Sequence, residues 1–254
     1  MAAYMISLRN RSLTGTPSAA ELTPIESLEN YDLGGVDCEQ CGNTGMISYI
    51  RESGELVSHP CPCMQKRIAK KRIRQSGLED AIRRYRFDTY RTETEEQKNL
   101  LRKAMEFAEA DTGWFYIYGQ PGSGKSHLCT AICGTLIERN IDTYYLSWRD
   151  QSTILKSLVT DPAAYEERMK KLKTVPVLYC DDFLKLAETE ADLKLAFELI
   201  NGRYINTKLR TILSSEITPQ QMFQRDEALL SRITERAQGF ILKAPNQNLR
   251  FQTR

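Results

Sequence analysis

The feature that most constrains the fold of this chain is the stretch from Trp114 to Thr130, WFYIYGQPGSGKSHLCT. An apolar, β-rich run breaks into a glycine-rich turn, and apolar residues then return at helical spacing. Gly119, Gly122 and Gly124 leave the backbone free to curl around an anion, so that successive N–H groups and the helix N-terminus can point at phosphate oxygens. The pattern predicts a strand, a phosphate-binding loop (P-loop) and a helix.

The polar side chains of this loop suit a nucleotide with its metal ion. Lys125 supplies a cation for the β- and γ-phosphates, and Ser126 offers its hydroxyl to Mg²⁺. We predict nucleotide contacts along the whole loop: Gly119, Gln120, Pro121, Gly122, Ser123, Gly124, Lys125, Ser126 and His127. The alternative is a flexible glycine-rich surface turn, which the flanking strand and helix patterns disfavour.

Composition limits the class of protein. Of the 254 residues, 41% are hydrophobic and 27% charged, which suits one sizeable α/β core with a small appendage. No apolar run approaches about 18 residues and the N-terminus lacks a hydrophobic signal core, so we expect a cytoplasmic protein with no membrane partner. The net charge of +2 does not by itself indicate nucleic acid. Seven cysteines without a secretion signal argue against a disulfide framework.

Four of the cysteines form two close pairs. Two residues separate Cys38 from Cys41, one residue separates Cys61 from Cys63, and a hairpin-length segment joins the pairs. Ligands that converge from two turns suit a tetrahedral Zn²⁺ site. The tight second pair keeps His59 open as a substitute ligand, and reduced cysteines without metal are the alternative.

The chain is predicted to have three parts. A flexible arm at 1–31 precedes a zinc-binding domain at 32–75, and the larger P-loop domain occupies 76–254. The second part ends in the run KRIAKKRIR, Lys66 to Arg74, which predicts a linker helix with a positive face. That face is either solvated or in contact with phosphate backbones or an acidic partner.

Strand and helix patterns alternate through the larger domain and predict a mostly parallel sheet. One apolar run, Val177 to Cys180, ends in Asp181 and Asp182. In a Walker B strand, Asp181 would reach Mg²⁺ and Asp182 could polarise the attacking water. The alternative is a pair of turn or N-cap aspartates. The remaining cysteines lie on apolar faces and are predicted to be core residues: Cys129, Cys133 and Cys180.

Two arginines follow the last long strand. The run from Thr211 to Ser215 predicts that strand, and Glu216 ends it. In the helix that follows, Arg232 and Arg236 are one turn apart and so share a face. Outside this context such arginines are usually solvated.

Together these motifs resemble the AAA+ ATPases that load replicative helicases in bacteria and phages, the DnaC/DnaI type. The resemblance extends from Cys38 onward. Its residues are the CEQCGNTG…CPC cluster of the loaders' zinc-binding domain, GQPGSGKS, VLYCDD, ILSSE as sensor I, EALLSRITERAQG as box VII and a C-terminal NLR.

The resemblance implies an α/β AAA+ domain with a parallel sheet flanked by helices, preceded by a small zinc-binding domain. It implies ATP hydrolysis at the interfaces of a nucleotide-dependent homo-oligomer, with ATP, Mg²⁺ and Zn²⁺ as cofactors. The implied partners in DNA replication are a hexameric replicative helicase and single-stranded DNA. Ser215 or Glu216 would sense the γ-phosphate, and Arg232 would be the arginine finger for a neighbouring subunit. Arg236 and Arg250 would be supporting arginines, with Arg250 at the nucleotide.

By the same resemblance, the segment before the Walker B strand would contact DNA. Its candidate side chains are Arg149, Lys156, Arg168, Lys170, Lys171 and Lys173, and Tyr165 could stack on a base.

Several other classes share parts of this pattern. A DnaA-type initiator has the same core but also a helix-turn-helix domain, for which the segment 237–254 is too short. An IstB-type transposition helper ATPase shares the core, and the cysteine cluster favours a loader over it. A P-loop kinase of small molecules and a zinc adaptor that binds ATP without hydrolysing it complete the alternatives.

Overall fold

The computed structural model describes residues 37–51, 53–187 and 189–249. The predicted arm at 1–31 and the candidate Arg250 lie outside this part of the chain. The chain divides into two compact units, and the boundary falls between Lys71 and Arg72. The predicted domain limits at residues 31 and 75 stay predictions.

The first unit is built on a short hairpin. Strands β1 (Met46–Ile50) and β2 (Leu56–Pro60) pair antiparallel, and the part of helix α1 (Cys63–Ser76) up to Lys71 completes this unit. Its described hydrophobic core is small and consists of Ile47 and the cysteines of the two pairs. So small a core is marginal on hydrophobic burial alone, which is the usual situation in domains stabilised by a metal.

A five-stranded parallel sheet organises the second unit. Its order is β4-β5-β6-β3-β7, and every pairing is parallel. The strands are β3 (Trp114–Tyr118), β4 (Thr143–Ser147), β5 (Val177–Asp181), β6 (Arg210–Ser215) and β7 (Ile241–Lys243). The helices are α2 (Glu79–Arg84), α3 (Glu95–Glu109), α4 (Lys125–Glu138), α5 (Trp148–Ser157), α6 (Pro162–Thr174), α7 (Glu190–Tyr204), α8 (Pro219–Arg225) and α9 (Glu227–Arg236).

Both faces of the sheet are covered by helices. Trp114 and Tyr116 pack in one buried cluster, whereas Phe115 and Ile117 pack in the other, as the two-residue period of a strand requires. The predicted α/β fold with a parallel sheet flanked by helices is therefore confirmed. The three cysteines predicted to be core residues are all fully buried, and burial raises the pKa of each thiol: Cys129, Cys133 and Cys180.

Local sequence signals fix several helix starts. Thr94 and Gln97 form a reciprocal capping box at the start of α3, and Thr189 and Asp192 do the same for α7. Across the described residues, the helices are too short or too polar to cross a membrane.

Candidate functional site

The P-loop lies at the carboxyl end of β3 and leads into α4. Gly122 and Gly124 have φ of 77° and 89°, in the left-handed region that favours glycine. A Cβ at Gly122 would lie 2.1 Å from Oδ1 of Asn248, so a side chain at this position would collide with a neighbouring segment. The N–H of Leu249 donates to the carbonyl of Gly122 at 2.9 Å. The loop is thus packed against, and hydrogen-bonded to, residues near the end of the described part of the chain.

Lys125 places a positive charge within the loop. Its ammonium donates to the carbonyls of Gly119 and Gln120, both at 2.8 Å, and the residue is only 5% exposed. Burial lowers the pKa of Lys125, while the carboxylates of Glu216, Asp182 and Asp181 oppose that shift. Three acidic side chains are therefore close enough to act on the candidate phosphate-binding lysine.

The other polar positions of the loop differ in exposure. Gln120 and Pro121 are exposed, whereas Ser123 is buried and its hydroxyl donates to the carbonyl of Gln120 at 2.8 Å. Ser123 therefore braces the loop, while its backbone N–H remains a candidate phosphate contact.

Ser126 and Asp181 meet across the end of the sheet. The Ser126 hydroxyl donates to Oδ1 of Asp181 at 3.2 Å. Asp181 also accepts from the hydroxyls of Tyr179, at 2.8 Å, and Ser214. A hydroxyl beside an oriented carboxylate is a set of oxygen donors that suits Mg²⁺. The structure thus brings together the two residues predicted to hold this ion.

His127 packs against the segment that precedes α3. Its Nε2 lies 2.8 Å from the carbonyl of Arg86, and its ring contacts those of Tyr85 and Tyr90. Burial lowers the pKa of His127 and raises that of Tyr90 to about 12. A direct contact of the His127 side chain with nucleotide stays a prediction.

Tyr90 is a candidate that the sequence analysis missed. Its hydroxyl is buried and has no hydrogen-bond partner among the described residues, and it lies 3.4 Å from where a Cβ of Gly124 would be. Buried hydroxyls normally have a partner, so an unpaired donor beside the P-loop fits a ligand bound there. The sequence offers no motif at Tyr90, and its place just before α3 is the only signal that could have suggested it.

Asp182 lies in a constrained loop after β5. Asp182, Leu184 and Leu186 all have left-handed φ, of 50°, 60° and 57°. The N–H of Phe183 donates to the carbonyl of Ser214 at 2.7 Å, which ties this loop to β6. The candidate water-polarising carboxylate is therefore fixed by the neighbouring strand.

The two candidate phosphate sensors have different surroundings. Ser215 is fully buried; its hydroxyl donates to the carbonyl of Phe183 at 2.7 Å and accepts from the N–H of Ile217 at 3.1 Å. Glu216 is half-buried, and its carboxylate accepts from Nζ of Lys185 at 2.6 Å. Ser215 is thus an internal brace, and Glu216 is the member of the pair whose charge reaches the site. Lys185, a single lysine after two aspartates, carried no sequence signal.

Arg232 and Arg236 both lie on α9 but have separate anchors. Arg232 donates from Nε to Oδ1 of Asn201 at 2.9 Å, and its guanidinium lies 4.6 Å from the ring centre of Phe197. Arg236 donates from Nη2 to the carbonyl of Thr207 at 2.6 Å. Within the described residues, neither arginine hydrogen-bonds to the P-loop or to the Walker B aspartates.

The four paired cysteines of the first unit converge on one point. All four Sγ atoms lie within 4.8 Å of one another, with 3.7 Å between Cys38 and Cys61 and 3.5 Å between Cys41 and Cys63. Tetrahedral Zn²⁺ with bonds of about 2.3 Å separates its sulfurs by about 3.8 Å, whereas a disulfide bond is about 2.0 Å long. The cysteines thus fit a metal ion and are not disulfide-bonded. His59 is exposed and outside the cluster.

Burial makes negative charge costly in this cluster. It raises the pKa of Cys61 to about 12 and also raises that of Cys63. Arg67 is only 4% exposed and donates from Nε to Sγ of Cys63 at 3.3 Å. The prediction of a solvated positive face is therefore wrong at Arg67, because its guanidinium is buried and donates to the sulfur of Cys63.

Ion pairs occupy part of the predicted DNA-contacting segment. Lys156 pairs with Asp192 at 2.5 Å and Lys173 with Glu198 at 2.6 Å. The half-buried Tyr165 donates its hydroxyl to Glu198 at 2.5 Å, and stacking of its ring on a base stays a prediction. Arg168 and Lys171 lie over the ring of Tyr144. Arg149 and Lys170 are exposed and form no ion pair within the described residues.

A P-loop, a carboxylate in contact with its serine and a second carboxylate at one edge of a parallel sheet define a P-loop ATPase-type domain. The chain belongs to the family of the bacterial DnaA ATPase domain, whose match covers residues 82–239.

Individual proteins extend this likeness. The phage-like element PBSX protein XkdC of Bacillus subtilis is 30% identical over 234 residues, covering 86% of this chain and 85% of XkdC. The replicative helicase loader DnaC of Escherichia coli K12 is 25% identical over 163 residues, covering 62% of this chain and 66% of DnaC. The crystal structure of DnaI shares the fold, with a TM-score of 0.56 at 20% identity, covering 69% of this chain and 99% of that chain. The predicted resemblance to DnaC/DnaI-type AAA+ proteins is confirmed.

Proposed function

We propose that this protein is an ATP-dependent loader of a replicative DNA helicase onto single-stranded DNA. The observation that carries the proposal is the contact between Ser126 and Asp181 beside the ammonium of Lys125. This is the arrangement that binds Mg²⁺ and nucleotide phosphates in P-loop enzymes. The similarity to a protein named as a replicative helicase loader supports the choice of partner.

Each residue at this edge of the sheet has a part in hydrolysis. Lys125 and the backbone N–H groups of the loop bind the β- and γ-phosphates, and Asp182 orients the attacking water. Ser126 and Asp181 would hold Mg²⁺, which when bound would supply positive charge at the phosphates. Arg232 of a neighbouring subunit supplies the remaining cation. ATP bound at the interface therefore holds neighbouring subunits together around single-stranded DNA, and hydrolysis releases the DNA.

Binding and turnover should separate in two variants. Lys125→Ala should lose ATP binding, because it removes the cation of the P-loop. Asp182→Asn should keep ATP binding but lose turnover by about 10² to 10⁴-fold, the usual contribution of a group that acts on the attacking water. Fluorescent-nucleotide titration and phosphate release measure the two properties.

A surface lysine provides the matched control. Lys194 is exposed and pairs with Glu190 on α7, so Lys194→Ala should change neither property. Unaltered ATP affinity in Lys125→Ala would contradict the P-loop assignment.

The surface of α5 and α6 is the proposed single-stranded DNA contact. Arg149 and Lys170 are exposed, and Lys171 offers its ammonium above Tyr144. Exposed cations of this kind bind phosphate backbones without sequence preference. Lys156 and Lys173 form ion pairs with residues of α7, so we assign these two lysines to stabilising the fold and not to DNA contact.

The function is tested with the full chain and the hexameric replicative helicase of the same source. We expect the two to co-purify, and we expect ATP to support transfer of the helicase to a single-stranded DNA circle. Lys170→Glu should impair the transfer but not the co-purification, and Lys98→Glu on α3 is a control, since Lys98 is also an exposed helical lysine. ATP hydrolysis with no helicase binding would reject the loader and favour a transposition helper.

A further inference from the structure

Three carboxylates follow the ends of two neighbouring strands near the P-loop. Asp181, at the end of β5, accepts from the hydroxyl of Ser126, and Asp182 and Glu216 share the ammonium of Lys185. An ionised glutamate only accepts hydrogen bonds, so Glu216 cannot donate one to a phosphate oxygen and would repel it. Recognition of the terminal phosphate at this edge therefore needs a further donor.

Lys185 has the chemistry of that donor. Its Nζ lies 3.0 Å from Oδ2 of Asp182 and 2.6 Å from Oε1 of Glu216. An ammonium has three N–H donors, and the described residues provide these two acceptors only. The Lys185 side chain is 35% exposed, so a third acceptor can reach it.

The loop around Lys185 fixes where this ammonium lies. Phe183 and Leu184, which precede Lys185, are fully buried, and Ala187, which follows it, is also buried, so the loop is anchored in the core on both sides of Lys185. The N–H of Asp182 donates to Oγ of Ser214 at 3.2 Å, and Ser215 binds the carbonyl of Phe183. Lys185 is thus presented between the ends of β5 and β6, and its two carboxylate partners come from both sides.

We propose that Lys185 binds the γ-phosphate of ATP and that the Lys185–Glu216 pair serves as the phosphate sensor of this protein. The inference rests on the proposed ATPase function. Glu216 positions the ammonium from the end of β6, and the third N–H of Lys185 binds a γ-phosphate oxygen. The ammonium keeps Oδ2 of Asp182 as an acceptor and so holds this carboxylate beside the phosphate, where Oδ1 orients the attacking water. Lys185 thereby links recognition of ATP to its hydrolysis.

The test compares ATP with ADP in the full chain. In Lys185→Met, ADP affinity should be unchanged, while ATP affinity should fall about ten- to a hundredfold, because a hydrogen bond to a charged group is lost. Lys185→Arg should keep part of the ATP preference. Lys194→Met is the control. Lys194, like Lys185, pairs with a glutamate, but it is exposed and its partner Glu190 lies on the same helix, α7. Titration with fluorescent ATP and ADP analogues gives the affinities, and thermal unfolding verifies that each variant is folded.

A double variant separates phosphate recognition from simple charge balance. Lys185→Met combined with Glu216→Gln removes one charge of each sign and leaves an amide that can donate. It should recover part of the ATP preference that Lys185→Met alone loses. An ATP-to-ADP affinity ratio in Lys185→Met equal to that of the wild type would overturn the sensor, and so would an equal loss for both nucleotides. A wild-type protein that binds no ATP would overturn the proposed function as well.

Discussion

Zinc removal is expected to unfold the cysteine-containing unit and leave the ATPase domain folded. The described core of the first unit is little more than Ile47 and four thiols, and a structural Zn²⁺ in so small a unit contributes on the order of 10 kcal/mol. Protein purified without chelator should contain one zinc ion per chain. A strong chelator should then abolish the protection of the β1–β2 amides from hydrogen exchange.

Tryptophan fluorescence follows the other domain separately. Both tryptophans of the chain, Trp114 and Trp148, are buried in the ATPase domain, so their emission should not change on chelation. Cys61→Ser should reproduce the loss of zinc. Cys133→Ala is the matched control, because that cysteine lies in the other domain. Absence of zinc from the purified protein, or full amide protection after chelation, would rule out the metal site.

Replacement of Arg232 is expected to reduce ATP turnover by about 10³ to 10⁵-fold while ATP binding persists. The residue is suited to act on a neighbour. Nε donates to Asn201 and Nη1 to the carbonyl of Ala228, and the guanidinium stacks on Phe197. Nη2 has no hydrogen-bond acceptor among the described residues. Nε and Nη1 of the guanidinium are thus held within the subunit, and Nη2 can bind the γ-phosphate of ATP in a neighbouring subunit.

Mixing two inactive variants tests whether this arginine acts in trans. Arg232→Ala retains a nucleotide pocket and Lys125→Ala retains a finger, so mixed oligomers should recover some turnover. Arg102→Ala is the control, since Arg102 is an exposed helical arginine paired with Glu106. No recovery at any mixing ratio, with mixed oligomers shown to form, would reject the trans finger.

The candidate nucleotide site was largely predictable from the sequence, because its signals are local. Glycine spacing sets the path of the P-loop, and an apolar run that ends in acids marks a buried strand with its carboxylates at the sheet edge. The structure accordingly brings Ser126 and Asp181 into contact although 55 residues separate them. The cysteine spacing was equally informative, since two close pairs across a hairpin can converge only at its base.

Side-chain partners were not readable in this way, and the DNA segment shows why. Its lysines and Tyr165 have the composition of a nucleic-acid contact, but the carboxylates of Asp192 and Glu198 on α7 come from another part of the chain. Arg67 is a second example: it belongs to a basic run in the sequence, but its side chain donates to Sγ of Cys63. Charge patterns predict a surface only where no opposite charge folds against it.

The sequence by itself predicted the alternation of strands and helices, the P-loop, the strand that ends in Asp181 and Asp182 and the grouping of the cysteines, but not strand β7. Each of these depends on residue periodicity or on spacing within a short stretch. Only the tertiary structure decided that Glu216 pairs with Lys185 and that Ser215 braces the loop after β5. It also decided that the Tyr90 hydroxyl, beside the P-loop, has no hydrogen-bond partner among the described residues. The physical reason is that hydrogen bonds and ion pairs act over a few ångströms, and folding brings residues to that distance regardless of their separation along the chain.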